Sequence, residues 1–306
     1  MKANQTITIR ILISLGLLYL VWSSTFLSVR ILLGYLPPLF ITFSRNIVAG
    51  SLLFIWSIFG KHWRKMTSKD LRTHLLAGVL LIFFGNGFMS LAGTIVPSGF
   101  SSVFMALGPL LLVMFFWMAG KKPSKKKLIG TLMGMIGILI LASQKSLAIP
   151  GQEMEFWKGI GFLSIAVVGW NLGVFSIQHN GANTYHFTQV CSIQMITGAI
   201  FAFTASYFLE DHSAIIFSNL PVKVYAVFFY LALIGSMMGF SIFGYLSKVC
   251  DATLVATYTY VNPVLALILG NIILEEKLHN ILLLASFFIL LAVVLITTDN
   301  TKQSKL

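Results

Sequence analysis

PSGFSSVFMALGP, residues 97 to 109, returns as DATLVATYTYVNP, residues 251 to 263. The two stretches have equal length, and each ends in proline after a run of small and hydroxyl residues. At the same offset of 154, Gly85 falls on Gly239, and further upstream an offset of 148 places Trp22 on Trp170 and Gly50 on Gly198. The difference between the offsets is absorbed around the connection between the seventh and eighth apolar segments. Self-similarity at a fixed offset reads as a duplicated structural unit, one unit over 1–147 and the other over 148–306.

Composition says what the units are made of. The chain has 306 residues, of which 57% are hydrophobic and only 10% charged, whereas a soluble domain carries about 25% charge. Only lipid covers so much apolar surface, which predicts an all-α polytopic membrane protein. A span needs about 20 mostly apolar residues, and ten such segments can be drawn: 9–29, 38–59, 73–95, 97–119, 127–143, 157–178, 186–209, 224–247, 252–274 and 279–297. The gaps are short and leave no room for a soluble domain. The run from Ile11 to Val29 is long and no small-residue cleavage site follows it, so it reads as the first span and not as a signal peptide.

With the N-terminus inside, the inner segments hold fifteen of the 21 lysines and arginines and the outer loops five. The positive-inside rule then places both termini in the cytoplasm. The net charge of +12 collects in loops such as KHWRKMTSKDLR (61 to 72) and KKPSKKK (121 to 127), a distribution that suits lipid headgroups and argues against a nucleic-acid partner. Five spans per unit is an odd number, so the second unit sits upside down relative to the first. The loops agree: the counterparts of the two basic loops carry Glu210 and Asp211, then Glu275 and Glu276. Inverted repeats of this kind are typical of secondary transporters, whose sites lie near the midplane between the halves.

Five motifs in order, VWSSTF (21 to 26), FSRNIVAG (43 to 50), GNGFMSLAGTIVPSG (85 to 99), TYTYVNPVLALILG (257 to 270) and EKL (276 to 278), carry a family resemblance over nearly the whole chain. The sequence resembles the EamA group of the drug/metabolite transporter superfamily, in particular its bacterial inner-membrane members. The resemblance implies a multi-pass inner-membrane carrier of ten helices in two inverted five-helix units, exporting small organic metabolites such as amino acids or drug-like compounds by alternating access. One departure stands out. Members of the wider family often carry an acid just after the fourth helix as well as the ninth, and here the first copy reads AGKKPSK (119 to 125) while the second keeps Glu276. A role built on paired acids therefore does not carry over.

No catalytic constellation, metal-ligand cluster or cofactor motif stands out, and all nine acids fall in loops or at helix ends, so an enzyme is not expected. The candidate substrate-binding residues are polar or aromatic groups inside the predicted spans. Trp22 and Trp170 lie about 18–20 Å into their helices, past the interfacial belt where tryptophan is commonplace. Ser23 and Asn171 follow them directly. Asn86 and Asn262 are amides in hydrocarbon, where interhelical hydrogen bonding is the default use. Tyr258 shares the i, i+4 face of Asn262. Arg45 stands in the middle of FITFSRNIVAGSLLF (40 to 54), where a guanidinium costs at least about 2.5–3.5 kcal/mol. It reads either as an anchor satisfied by carbonyls and water or as a cavity charge for a substrate carboxylate. Its counterpart in the second unit is Ile193, so the repeat itself does not call for it.

Proton relays use buried Asp, Glu or His, which leaves His186 and Glu276 as the coupling candidates. Pro109 and Pro263 are the hinge candidates, because a mid-helix proline removes a backbone bond and kinks the helix. Gly130 and Gly134 make a small-xxx-small face suited either to packing within the chain or to a homo-oligomer seam; nothing else in the sequence supports an oligomer. The expected partners are a small-molecule substrate and the bilayer. The alternatives are a non-transporting membrane scaffold or sensor, and a facilitated uniporter without ion coupling.

Overall fold

The computed structural model describes residues 9–120, 122–142, 153–180, 185–213, 215, 217–249, 255, 258–275 and 280–297. Their regular structure is helical throughout. In chain order the helices are α1 Ile9–Leu32, α2 Pro38–Phe59, α3 Ser68–Gly93, α4 Ser98–Met118, α5 Lys125–Ala142, α6 Glu153–Asn180, α7 Phe187–Leu209, α8 Val222–Ser247, α9 Tyr258–Leu274 and α10 Asn280–Thr297. Seven of them (α1 to α4 and α6 to α8) are long and apolar enough to cross a membrane. Large apolar side chains such as Leu12, Ile13, Phe208 and Ile272 point outward from the bundle, as they do when the surrounding solvent is lipid.

Helix ends follow local chemistry. α3 starts before the apolar run because Thr67 Oγ1 accepts from the Asp70 N–H (3.1 Å) and donates to Asp70 Oδ2 (2.7 Å), a threonine N-cap whose own N–H donates to the Tyr185 hydroxyl at 3.2 Å. α2 has proline in its first turn, where a missing N–H costs nothing. Its next two N–H groups, Leu39 and Phe40, donate to the Glu210 carboxylate at 2.7 and 3.0 Å. An anion at a helix N-terminus is stabilised by these bonds and by the dipole, so the end of α7 is tied to the start of α2.

Packing is closest where side chains are smallest. α2 lies along α7, and α5 along α10. A β-carbon added to Gly198 of α7 would sit 2.4 Å from the carbonyl oxygen of Gly78 in α3, so the two backbones touch. On α5, Gly134 faces Leu110 of α4, and Gly137 faces Ile289 and the backbone of α10. The small-residue face of α5 is thus occupied within the chain.

Three helices depart from regular α geometry. α3 and α8 each contain a nine-residue π-helical stretch, Val79–Gly87 and Tyr230–Met238. α4 consists of two half-helices, Ser98–Met105 and Gly108–Met118. Pro109 lies in the first turn of the second half, so it opens a helix instead of kinking a continuous one. The ladder is already interrupted at Ala106 and Leu107, and a proline in a first turn displaces no intrahelical bond. The backbone of α9 runs as one helix through Pro263, so the two prolines do not occupy equivalent structural positions.

Candidate substrate site

Two polar centres lie inside the bundle. The first is built around Trp22 of α1, which is 7% exposed. Its ring meets Trp170 of α6 at 5.8 Å, Phe240 and Phe243 of α8 at 5.9 and 5.2 Å, and Tyr258 of α9 at 4.7 Å, the Tyr258 contact edge-on. Edge-to-face pairs at these separations are favourable, and the cluster joins helices of both units. Beside it, α1 is tied to α9. With its amide nitrogen turned toward α1, Asn262 donates to Ser23 Oγ (3.1 Å), the Tyr19 carbonyl (3.3 Å) and the Tyr258 carbonyl (3.0 Å), while Ser23 Oγ donates to the Tyr19 carbonyl at 2.6 Å. Ser23 and Asn262 therefore serve as interhelical glue in the conformation seen.

The aromatic cluster carries the pattern of the repeat. The Trp22 indole lies against Gly239 of α8, where an added β-carbon would be 2.5 Å from Nε1. The Trp170 ring lies against Gly85 of α3, where it would be 3.2 Å from Cε3. The two tryptophans correspond at offset 148 and the two glycines at 154. Gly85 lies within the π-helical stretch of α3, and Gly239 directly follows that of α8.

The second centre is Arg45 of α2, 3% exposed and about 10 Å along the helix from Pro38. Its Nη1 donates to Ser236 Oγ of α8 at 3.4 Å. Nε and Nη2 have no acceptor among the described residues, nor does Nδ2 of Asn86 in α3. Thr42 Oγ1 and Ser90 Oγ, 3.2 Å apart, bridge α2 and α3. Asn46 and Asn86, each one turn deeper on its own helix, bond back toward that bridge: Asn46 donates to the Thr42 carbonyl (2.8 Å), and the Asn86 carbonyl accepts from Ser90 (2.9 Å). Arg45 and Asn86 thus share a level of the bundle. Ser236 and Asn86 both belong to π-helical stretches, a geometry that recurs at functional sites.

The expected site residues divide accordingly. Trp22, Trp170 and Tyr258 come together, with Ser23 and Asn262 beside them, and Arg45 and Asn86 stand at one level on α2 and α3. Asn171 belongs to neither: its Nδ2 donates to the Val167 carbonyl at 2.7 Å, and its amide faces Gly108 at the break in α4. His186 caps α7, its Nδ1 2.8 Å from Thr188 Oγ1, and its ring stacks on His62 at 3.8 Å. At offset 148 His62 corresponds to Glu210, so the two ends of the α2–α7 pair carry equivalent contacts of different chemistry. Glu276 lies outside the described residues.

Sequence reading missed Ser236, Phe240 and a buried histidine. His74 of α3 is 1% exposed, and its Nδ1 is 3.0 Å from Gln194 Nε2 of α7. His74 falls inside the predicted third span, and its burial comes from the packing of α3 against α7, which the sequence alone does not display.

Buried aromatics and a buried arginine between paired helices, with apolar surfaces outside, are the features of a multi-pass membrane protein. The sequence pattern of the EamA-like transporter family matches residues 10–143 and again 157–298. The chain belongs to that family. YedA of Escherichia coli (strain K12), described as an uncharacterized inner membrane transporter, is 32% identical over 285 residues, covering 92% of this chain and 88% of YedA. YvbV of Bacillus subtilis (strain 168), described as an uncharacterized transporter, is 25% identical over 297 residues, covering 94% of this chain and 92% of YvbV. A crystal structure with 19% identity shares the fold, with a TM-score of 0.64 over 92% of this chain and 94% of the other. The protein is a multi-pass membrane transporter, not an enzyme.

Proposed function

We propose that the protein is a secondary carrier that exports small organic metabolites by alternating access, with ten spans arranged as two inverted five-helix units (1–147 and 148–306) and both termini in the cytoplasm. One observation carries the reading. Trp22 packs on Gly239 and Trp170 on Gly85, a reciprocal exchange between the first and second units. Carriers built on inverted repeats hold substrate where the repeats meet, near the midplane. The substrate-contacting residues are then Trp22, Trp170, Tyr258, Arg45 and Asn86, with Ser23 and Asn262 setting the spacing of α1 and α9. Amino acids and drug-like compounds are the solute classes that such a mixed aromatic and polar centre suits.

Export is tested by comparing internal and external metabolite pools of cells with and without the protein. A solute that accumulates outside only when the protein is present supports the reading. Pools that match for every solute in a broad panel contradict it.

A further inference from the structure

We propose that Arg45 anchors an organic-anion site, holding the carboxylate of a small acid whose apolar body lies toward the aromatic cluster. The inference names the substrate class of the carrier described above, and for transport, though not for binding, it rests on that reading.

The guanidinium supplies the first argument. An arginine in hydrocarbon is rare and is normally paired or bonded to carbonyls, yet two of the three nitrogens of Arg45 have no acceptor among the described residues. The described acids sit at helix ends or in loops, and the ion pair formed among them is Lys158 with Glu155 on the surface. Nη1 is taken by Ser236. The remaining pair, Nε and Nη2, is the side edge of the planar fork, whose parallel N–H bonds match the two oxygens of a carboxylate.

The surroundings supply the second. Asn86 Nδ2, at the same level, is another donor without an acceptor. Asn46 Oδ1 also lacks a partner, but as a neutral acceptor it leaves the centre with a net positive charge. Ser236 lies one turn before Gly239 and Phe240, which pack on Trp22. A ligand held by its carboxylate at Arg45 therefore has its body directed to rings, which favours aryl or alkyl acids over sugars or other fully polar anions.

The test uses the purified full-length protein with acetate, benzoate and phenylacetate, each beside its neutral amide, read by tryptophan fluorescence and thermal unfolding. The expected result is tighter binding of the larger acids, with each amide weaker by about ten-fold or more. Arg45→Gln removes the acid-over-amide preference, and Arg45→Lys keeps part of it. Binding of no acid in an Arg45-dependent way overturns the proposal, as does a Gln variant that keeps the wild-type preference. If the Gln variant does not fold, the ratio in wild type against the Lys variant decides: an unchanged ratio overturns the proposal. The same pairs are then offered to proteoliposomes. Acid-selective binding without flux contradicts the carrier reading and leaves the anion site standing; flux of neutral solutes without Arg45-dependent acid binding does the reverse.

Discussion

Gly239 shows how much a single atom decides at the residue scale. A β-carbon there would lie 2.5 Å from Trp22 Nε1 and 3.0 Å from Cδ1, and four other rings hold Trp22 from moving aside. Gly16, on the same helix as Trp22, has nothing within 4 Å of the equivalent point. Alanine at Gly16 is expected to stabilise by up to about 1 kcal/mol through helix propensity. Alanine at Gly239 is expected to destabilise by about 1–3 kcal/mol through overpacking. Thermal unfolding of the two variants beside wild type checks this, and a Gly239→Ala midpoint at or above that of Gly16→Ala refutes the packing. At this scale the sequence was partly legible. Arg45 and the tryptophans stood out because charge and aromatic mass inside a span are expensive or unusual. Ser236 did not, since one serine among many in apolar helices announces nothing until a guanidinium is seen beside it.

At the scale of elements, the α2–α7 pair is held differently at its two ends. Glu210 receives the Leu39 and Phe40 N–H groups and the Ser206 hydroxyl, the last at 2.6 Å. At the opposite end His62 stacks on His186. Glu210→Gln keeps shape but removes the charge facing the N-terminus of α2, and is expected to cost about 1–2 kcal/mol. The loss reads as a lower thermal midpoint, part of which high salt reproduces in wild type by screening; an unchanged midpoint shows that the contact contributes nothing. Helix positions were legible because hydropathy marks them, and Thr67 with Asp70 would have marked the early start of α3. The π-helical stretches were not legible. They arise where Gly85 and Gly239 meet the tryptophans, and no local residue pattern distinguishes a π turn from an α turn. The break in α4 was half-legible: Pro109 marked the place, but the interruption at Ala106 and Leu107 turned an expected kink into a helix start.

At the scale of the whole molecule, the repeat was readable from two proline-terminated stretches because duplication preserves spacing even when residues drift. The use of the repeat was less readable. Trp22 packs on Gly239 and Trp170 on Gly85, yet Arg45 corresponds to Ile193, so a symmetric frame carries an asymmetric charge. A carrier of organic anions needs the frame to move and the charge to select. The measurement that tests both together is solute counterflow in proteoliposomes loaded with unlabelled phenylacetate, using wild type, Arg45→Gln and protein-free vesicles. The account predicts a transient accumulation of labelled phenylacetate with wild type alone. Equal accumulation with Arg45→Gln, or none with any carboxylate in the series, would contradict it.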